Sequence, residues 1–261
     1  MAVTAAERLA AIAGSPQPGV PVGCVWLGLG DAAVAEIAAI AGHRVAVIDT
    51  EHGTVAPAAL PNLLRALSLH GASGLVRIGG IHATDAKRAL DAGAAGILFP
   101  QVETVAEARA AAAATRFAPA GRRGTALGVV RAAGFGALAD YADTWNDRVL
   151  TAVQIESRAG LAQADEIAAV DGIDVLFFGP YDYALDLGLD PAQEGELLEA
   201  AFAEVVRAAR ASGKIAGVFP WPGADPAALA DAGASLIATA SDIRLLADGF
   251  ADAASALSVE R

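Results

Sequence analysis

Cysteine is almost absent from this chain: Cys24 stands alone among 261 residues, which excludes an intramolecular disulfide and any zinc cluster built on cysteines. Lysine is nearly as scarce, with only Lys87 and Lys214. Basic side chains as a whole are outnumbered, 18 Lys plus Arg against 30 Asp plus Glu, and the resulting net charge of −12 repels phosphate backbones and anionic lipid. Nucleic acid and membrane surfaces are therefore poor partners. Aromatic residues make up only 5% while hydrophobic residues reach 55%, so the core has to be built from Ala, Val, Ile and Leu. A long unbroken apolar segment is missing too. Leu9 to Gly30 carries no charge, but Pro16, Pro18 and Pro21 interrupt it, and it does not read as a membrane helix. No basic stretch followed by an apolar run opens the chain, so the expected compartment is the cytoplasm.

What is present is one pattern, repeated. Short apolar, β-rich runs alternate with Ala-rich helical stretches from end to end, which implies βαβ units and a parallel sheet. The runs are Gly23 to Leu27, Val45 to Ile48, Gly74 to Ile78, Gly96 to Phe99, Thr151 to Ile155, Asp174 to Phe178, Ile215 to Val218 and Leu236 to Thr239. Most are apolar throughout, as strands buried on both faces must be. Helical patterns occupy Ala32 to Ala41, Leu60 to Leu69, Asp85 to Ala92, Val105 to Thr115, Gly160 to Ala169, Ala192 to Ala211, Pro226 to Ala232 and Asp242 to Leu257. Eight strand–helix units in a chain of this length match the arithmetic of an α/β fold of the (β/α)8 or TIM-barrel kind, as a single domain over residues 1–261. A doubly wound sheet is the alternative, because periodicity does not show closure. The interval from Pro100 to Leu150 must hold extra loop or helix, turning at Gly121 to Gly124.

A parallel barrel presents its chemistry at the C-terminal ends of its strands, and the unusual polar residues of this chain fall there. Trp26 ends the first run, the second leads into Asp49, Glu51 and His52, and Arg77 lies in the third. Gln101 and Glu103 follow the fourth, and the fifth ends in Gln154 and Glu156. Gly179-Pro180-Tyr181-Asp182 follows the sixth, Phe219 the seventh, and Ser241 and Asp242 the eighth. Asp242 reads as the N-cap of the final helix. Trp26 either seals the barrel mouth or lines a ligand pocket. Arg77 sits inside a buried strand, where a charge requires a partner. Asp49 and His52 leave the same strand close enough for the carboxylate to orient and charge-stabilise the imidazole. His43, His70 and His82 read as loop or helix surface.

Glu156 and Asp182 come from neighbouring strand ends and repel each other unless a proton or a cation lies between them. Hard oxygen ligands suit Mg²⁺ or Mn²⁺ better than zinc. An ion pair with Arg77, without metal, is the competing reading. Lys87 falls in a helix and Lys214 precedes the seventh run at the opposite face, so neither lysine is placed to form a Schiff base. Activation of a carbonyl then has to come from elsewhere, such as a metal acting as Lewis acid.

Taken in order, the segments Val25-Trp26-Leu27-Gly28-Leu29, Ile48-Asp49-Thr50-Glu51-His52-Gly53, Ile97-Leu98-Phe99-Pro100-Gln101-Val102-Glu103, Ala118-Pro119-Ala120-Gly121-Arg122-Arg123-Gly124, Val153-Gln154-Ile155-Glu156 and Phe178-Gly179-Pro180-Tyr181-Asp182 resemble the HpcH/HpaI aldolase family of class II pyruvate aldolases. With Gly233-Ala234-Ser235 and the final helix, the resemblance covers nearly the whole chain. It implies a divalent metal ion (Mg²⁺, Mn²⁺ or Co²⁺) held by Glu156 and Asp182, with Gln154 beside it. A small-molecule 2-oxo acid would bind there, its carboxylate received by the backbone N–H groups of Tyr181 and Asp182. Arg77 corresponds to the arginine that contacts the keto oxygen, His52 to the base, and Asp49 and Asp91 to the carboxylate partners of that histidine. The second substrate would be an aldehyde. Two positions depart from the commonest pattern: Tyr181 stands where Ala is usual, and Phe219 where a smaller aliphatic residue is usual.

The resemblance also implies a homo-oligomer, a hexamer built as a trimer of dimers, with the final helix packing on a neighbouring subunit. Two other functions stay open at this level. One is an acyl-CoA lyase of the citrate lyase or malyl-CoA lyase type, which would need room for a nucleotide, and the other a non-catalytic barrel that binds oxo acids.

Overall fold

Each of the eight apolar runs becomes a parallel strand in the computed structural model, which describes residues 3–15 and 17–256. The strands are β1 (Val22–Leu27), β2 (Val45–Asp49), β3 (Ser73–Arg77), β4 (Gly96–Phe99), β5 (Leu150–Ile155), β6 (Val175–Phe178), β7 (Ile215–Val218) and β8 (Ala234–Ser241). They pair in sequence order, and β8 returns to β1 with Val22 opposite Leu236, so the sheet closes into a barrel. Closure rules out the doubly wound alternative.

The helices are α1 (Ala5–Ala13), α2 (Ala32–Ile40), α3 (Leu60–Leu69), α4 (Ala83–Ala92), α5 (Val105–Thr115), α6 (Tyr141–Arg148), α7 (Arg158–Ala162), α8 (Ala164–Ala168), α9 (Pro180–Asp186), α10 (Gly195–Ala211), α11 (Pro226–Ala232) and α12 (Asp242–Ser255). The expected helix from Gly160 to Ala169 is two short helices meeting at Gln163, and Leu257, the expected end of the last helix, lies outside the described residues. The long interval after Pro100 holds α5, a 3-10 turn over Arg131–Gly136 and α6. Asp242 is the first residue of α12 and Ser241 is its cap, the reverse of the expected order. The physical reason is that the Asp242 carboxylate is drawn toward β1: besides the adjacent Ile243 N–H (2.7 Å) it accepts the N–H groups of Gly28 (2.9 Å) and Leu29 (2.9 Å), tying the end of β8 to the loop after β1.

Side chains alternate across each strand, so every second residue enters the barrel. Val22, Cys24 and Trp26 on β1, Val45 and Val47 on β2, Leu75 on β3, Leu98 on β4, Leu150 and Ala152 on β5, Val175 and Phe177 on β6, and Leu236 and Ala238 on β8 form one interior cluster. The other parity packs under the ring of helices. Helix α1, which the strand count did not anticipate, closes the bottom: Leu9 and Ile12 join the interior cluster. Its start is fixed by a reciprocal cap between Thr4 and Glu7. Arg8 then reaches Asp174 at 2.9 Å, a buried carboxylate that also pairs with Arg116 at 3.1 Å and accepts the Thr151 N–H at 2.8 Å.

Candidate active site

The interior parity that puts Val47, Leu75 and Ala152 in the core delivers, one step further up each strand, Asp49, Arg77 and Gln154. Trp26 occupies the same level on β1. These side chains are buried, yet they floor a cavity of about 570 Å³ at the C-terminal mouth of the barrel, also lined by His52, Phe177, Tyr181, Asp182 and Phe219. A buried guanidinium needs compensation, and Arg77 has it twice over. Its Nε and one terminal nitrogen donate to the two oxygens of Asp49 at 3.0 and 2.6 Å, and the other terminal nitrogen stands 3.0 Å from Glu51 Oε2. The Trp26 indole donates to Asp49 Oδ2 at 3.2 Å, and the Arg77 guanidinium lies 4.9 Å from the Trp26 ring centre. Burial alone would raise the Asp49 carboxyl, but the hydrogen bonds and charge of Arg77, with the N–H groups of Trp26 and His52, hold it below the ordinary carboxylate range.

Across the cavity the balance runs the other way. Glu156 follows β5 and is buried; its Oε1 accepts the Gln101 N–H at 2.7 Å and its Oε2 accepts the Gln154 side-chain amide at 2.5 Å. Gln101 itself has positive φ, at 51°, uncommon for a residue with a side chain. Burial pushes Glu156 up to about 7, against the pull of the Gln101 N–H, and the charges of Asp182 and Glu51 push the same way. Glu51 is itself raised, first by burial and then by Asp49 and Asp182, against the pull of Arg77 and His52. Four carboxyl groups, those of Asp49, Glu51, Asp182 and Glu156, thus share the guanidinium of Arg77. Gly179 keeps the space above Glu156 open, since a Cβ there would stand 2.5 Å from Glu156 Oε2. The buried Gln154 Oε1 accepts no hydrogen bond from the described residues.

This donor set fits a divalent cation. Glu156 and Asp182 offer hard oxygen ligands, the excess negative charge is uncompensated, and an orphaned amide oxygen lies beside them. Among the described residues no three His, Cys, Asp or Glu side chains cluster as a ready-made cage, so an ion held here would keep positions for water or substrate.

A family model described as HpcH/HpaI aldolase/citrate lyase matches residues 23–249, a span that takes in the whole barrel. The chain belongs to that family. Among its HpcH/HpaI relatives, a hydroxypyruvate/pyruvate aldolase from Sagittula stellata is 39% identical over 222 residues, covering 85% of this chain and 87% of the relative. A 4-hydroxy-2-oxo-heptane-1,7-dioate aldolase from Salmonella newport is 34% identical over 249 residues, covering 95% and 93%. A crystal structure of an HpcH/HpaI aldolase/citrate lyase family protein from Burkholderia cenocepacia superimposes with a TM-score of 0.85 at 35% identity, over 97% of this chain and 98% of that one.

Against this HpcH/HpaI background, most of the residues picked out from the sequence meet in one place. Trp26, Asp49, His52, Arg77, Gln154, Tyr181, Asp182 and Phe219 line the cavity, and Glu156 touches it through Gln154. The Phe219 ring turns to the mouth, edge-on to Trp26 at 5.3 Å and to Tyr181 at 6.1 Å between ring centres. Two expected pairings differ. Asp49 does not orient the His52 imidazole: its carboxylate is taken by Arg77 and Trp26, and His52 reaches it only through the backbone N–H, at 3.2 Å. The imidazole is 68% exposed, with Glu51 Oε1 at 3.9 Å from its Nε2. Asp91 does not line the cavity within the chain. It lies in the last turn of α4 and pairs at 2.8 Å with Arg123, whose buried guanidinium lies 4.7 Å from the Phe117 ring and 4.4 Å from that of Trp145. Glu51, for which the sequence pattern predicts no role, joins the site through Arg77; its position two residues after Asp49 at the end of β2 is the signal that marks it.

Proposed function

We propose that this chain is a divalent-metal-dependent aldolase, a carbon–carbon lyase that reversibly splits 4-hydroxy-2-oxo acids into pyruvate or hydroxypyruvate and an aldehyde. The observation that carries this reading is the juxtaposition of Glu156, which is buried, with Asp182, which is exposed at the cavity, two mutually repelling carboxylates opposite Arg77 at the strand ends. Family membership and the aldolase relatives support the reaction class. A divalent ion held by Glu156 and Asp182 would supply Lewis-acid polarisation of the substrate's keto group.

The chain's own residues do the rest. Arg77, locked by Asp49 and Glu51, presents a preorganised positive charge to the oxygen on which negative charge develops when the C3–C4 bond breaks. The helix after Gly179 begins with Pro180, so the N–H groups of Tyr181 and Asp182 lie in its first turn, where a carboxylate is favoured. His52, solvent-facing beside Glu51, is placed to exchange the 4-hydroxyl proton with water. Trp26, Phe219 and Tyr181 exclude solvent from one wall. Lys87 stands in α4 and Lys214 ahead of β7, and neither lines the cavity, so the chemistry does not run through a Schiff base.

The same reading takes the protein as a cytoplasmic homohexamer, a trimer of dimers in which α12 packs on a neighbour. Only Asp242 of α12 is buried, while Leu245 and Phe250 are 59% and 71% exposed. No helix among the described residues is long and apolar enough to cross a membrane, and the exposed apolar face of α12 suits burial against a neighbouring subunit. The function is tested by chelation. Exhaustive removal of divalent ions abolishes aldol cleavage, added Mg²⁺, Mn²⁺ or Co²⁺ restores it, and E156Q and D182N each lose the restored activity. Full turnover without metal, or a borohydride-trapped adduct on Lys87 or Lys214, rejects the mechanism.

A further inference from the structure

Among the described residues two arginines line the cavity, and they differ in what holds them. Arg77 at the floor is fixed by Asp49 and Glu51. Arg244 at the rim belongs to the first turn of α12, and its side chain is 79% exposed, with one carboxylate partner among the described residues, Asp248, at 2.7 Å on the same helix. That pair is weak by nature: it is solvent-exposed, and the basic residue precedes the acidic one, the poorer order along a helix. A cation in the first turn also opposes the positive end of the helix dipole, so local helix stability does not account for Arg244.

The backbone carrying this arginine is nonetheless pinned. The neighbouring Asp242 carboxylate holds the N–H groups of Gly28 and Leu29, and Ile243 packs over Gly28, where a Cβ would stand 2.8 Å from its Cδ1. Arg244 is thus set at a fixed height above the cavity. Its charge is felt at the Tyr181 hydroxyl on the facing wall, where burial raises the phenol and Arg244 opposes the rise. From Arg77 to Arg244 the cavity passes the apolar faces of Trp26, Phe219 and Tyr181, which offer contact area but no charge.

We propose that Arg244 is a specificity-determining residue that selects acceptor aldehydes carrying an anionic group, carboxylate or phosphate, at the end remote from the carbonyl. The proposal rests on the aldolase reading above. The aldehyde carbon sits over the oxo-acid site, its chain runs along the aromatic wall, and its anionic end exchanges solvent for the Arg244 guanidinium in place of Asp248.

The test compares matched acceptors in the metal-loaded enzyme with pyruvate as donor: succinic semialdehyde against butanal for the carboxylate, and glyceraldehyde 3-phosphate against glyceraldehyde for the phosphate. The readout is the ratio of kcat/KM for the anionic over the neutral member of each pair. R244Q lowers that ratio by about tenfold in at least one pair, through KM for the acceptor, and R244K restores most of it. D248N raises the ratio while Arg244 is present and loses that effect in the R244Q/D248N double variant. Added salt shrinks the wild-type preference. A fall in either pair supports the proposal and names the anion. An unchanged ratio in both pairs, with the neutral acceptor still turned over by the wild type, overturns the role of Arg244 and leaves the aldolase standing, whereas no turnover of any acceptor by the wild type overturns both.

Discussion

Asp49 shows how one side chain can serve fold and site together. It closes β2, enters the barrel by strand parity, and spends both oxygens on Arg77 while accepting from Trp26. Because its carboxyl titrates below the ordinary value of 3.8 in the folded chain, the Asp49 contribution to stability is present above that pH and disappears as the pH falls through the lower folded value. D49N should therefore flatten the acid limb of a stability-against-pH curve and release Arg77 to wander. R77A should depress deuterium exchange into pyruvate and carbon–carbon cleavage together, by roughly 10² to 10³, the loss typical of a preorganised charge-stabilising donor. Exchange at the wild-type rate would show that Arg77 is not needed to stabilise charge on the oxo acid.

Phe219 belongs to the same scale and to specificity. Its ring faces the mouth and meets Trp26 and Tyr181 edge-on. An aromatic wall discriminates by shape, at about 1 to 3 kcal/mol per methylene, and has no hydrogen bond to read hydroxyl patterns. F219L should shift aldehyde preference and product stereochemistry while metal affinity stays near that of the parent. A panel of aldehydes giving the same product ratios, together with a lower melting temperature, would make Phe219 a packing residue instead.

Strands and helices reach their positions by rules that single residues then enforce. At Gly96, the start of β4, a Cβ would collide with the backbone carbonyl of Leu150, its partner on β5. The two strands pair this closely only because the position has no side chain. G96A should cost about 1 to 3 kcal/mol of stability through backbone displacement, measured by thermal or denaturant unfolding. Since β5 carries Gln154 toward Glu156, a fall in metal affinity should accompany it. Helix α1 works at the other end, where Leu9 and Ile12 fill the barrel bottom and Arg8 braces Asp174.

At the scale of the molecule, the barrel buries its own strands but leaves an apolar face uncovered. Leu245 and Leu246 on α12 flank a groove with Val34, Ile37 and Ala38 of α2, and Phe250 stands further out along the same helix. A second copy offering the same helix would bury these side chains in a self-complementary contact. Replacing Leu245 and Phe250 by Glu should dissociate the proposed oligomer, read by light scattering, while circular dichroism of the barrel stays intact. A parent protein that is monomeric at micromolar concentration would remove this interface.

The sequence by itself determined the repeating strand–helix units, because fully buried parallel strands must be apolar along their whole length and the turns between them must be marked. It also determined which polar residues stand at the strand ends, since those positions follow from counting along each run. Helix α1 escaped that count because a plug on the barrel bottom follows no strand, and the two helices meeting at Gln163 read as one because their apolar spacing is continuous. Tertiary structure alone decided who pairs with whom. Asp49 lies three residues before His52, yet its carboxylate faces inward with Arg77, because the β2 pleat points it into the barrel while the chain turns His52 out to solvent. Closure of β8 onto β1 and the clustering of Glu51, Glu156 and Asp182 are long-range meetings between strand ends far apart in the chain. No local pattern encodes such a distance; it exists only once the sheet has curled through a full turn.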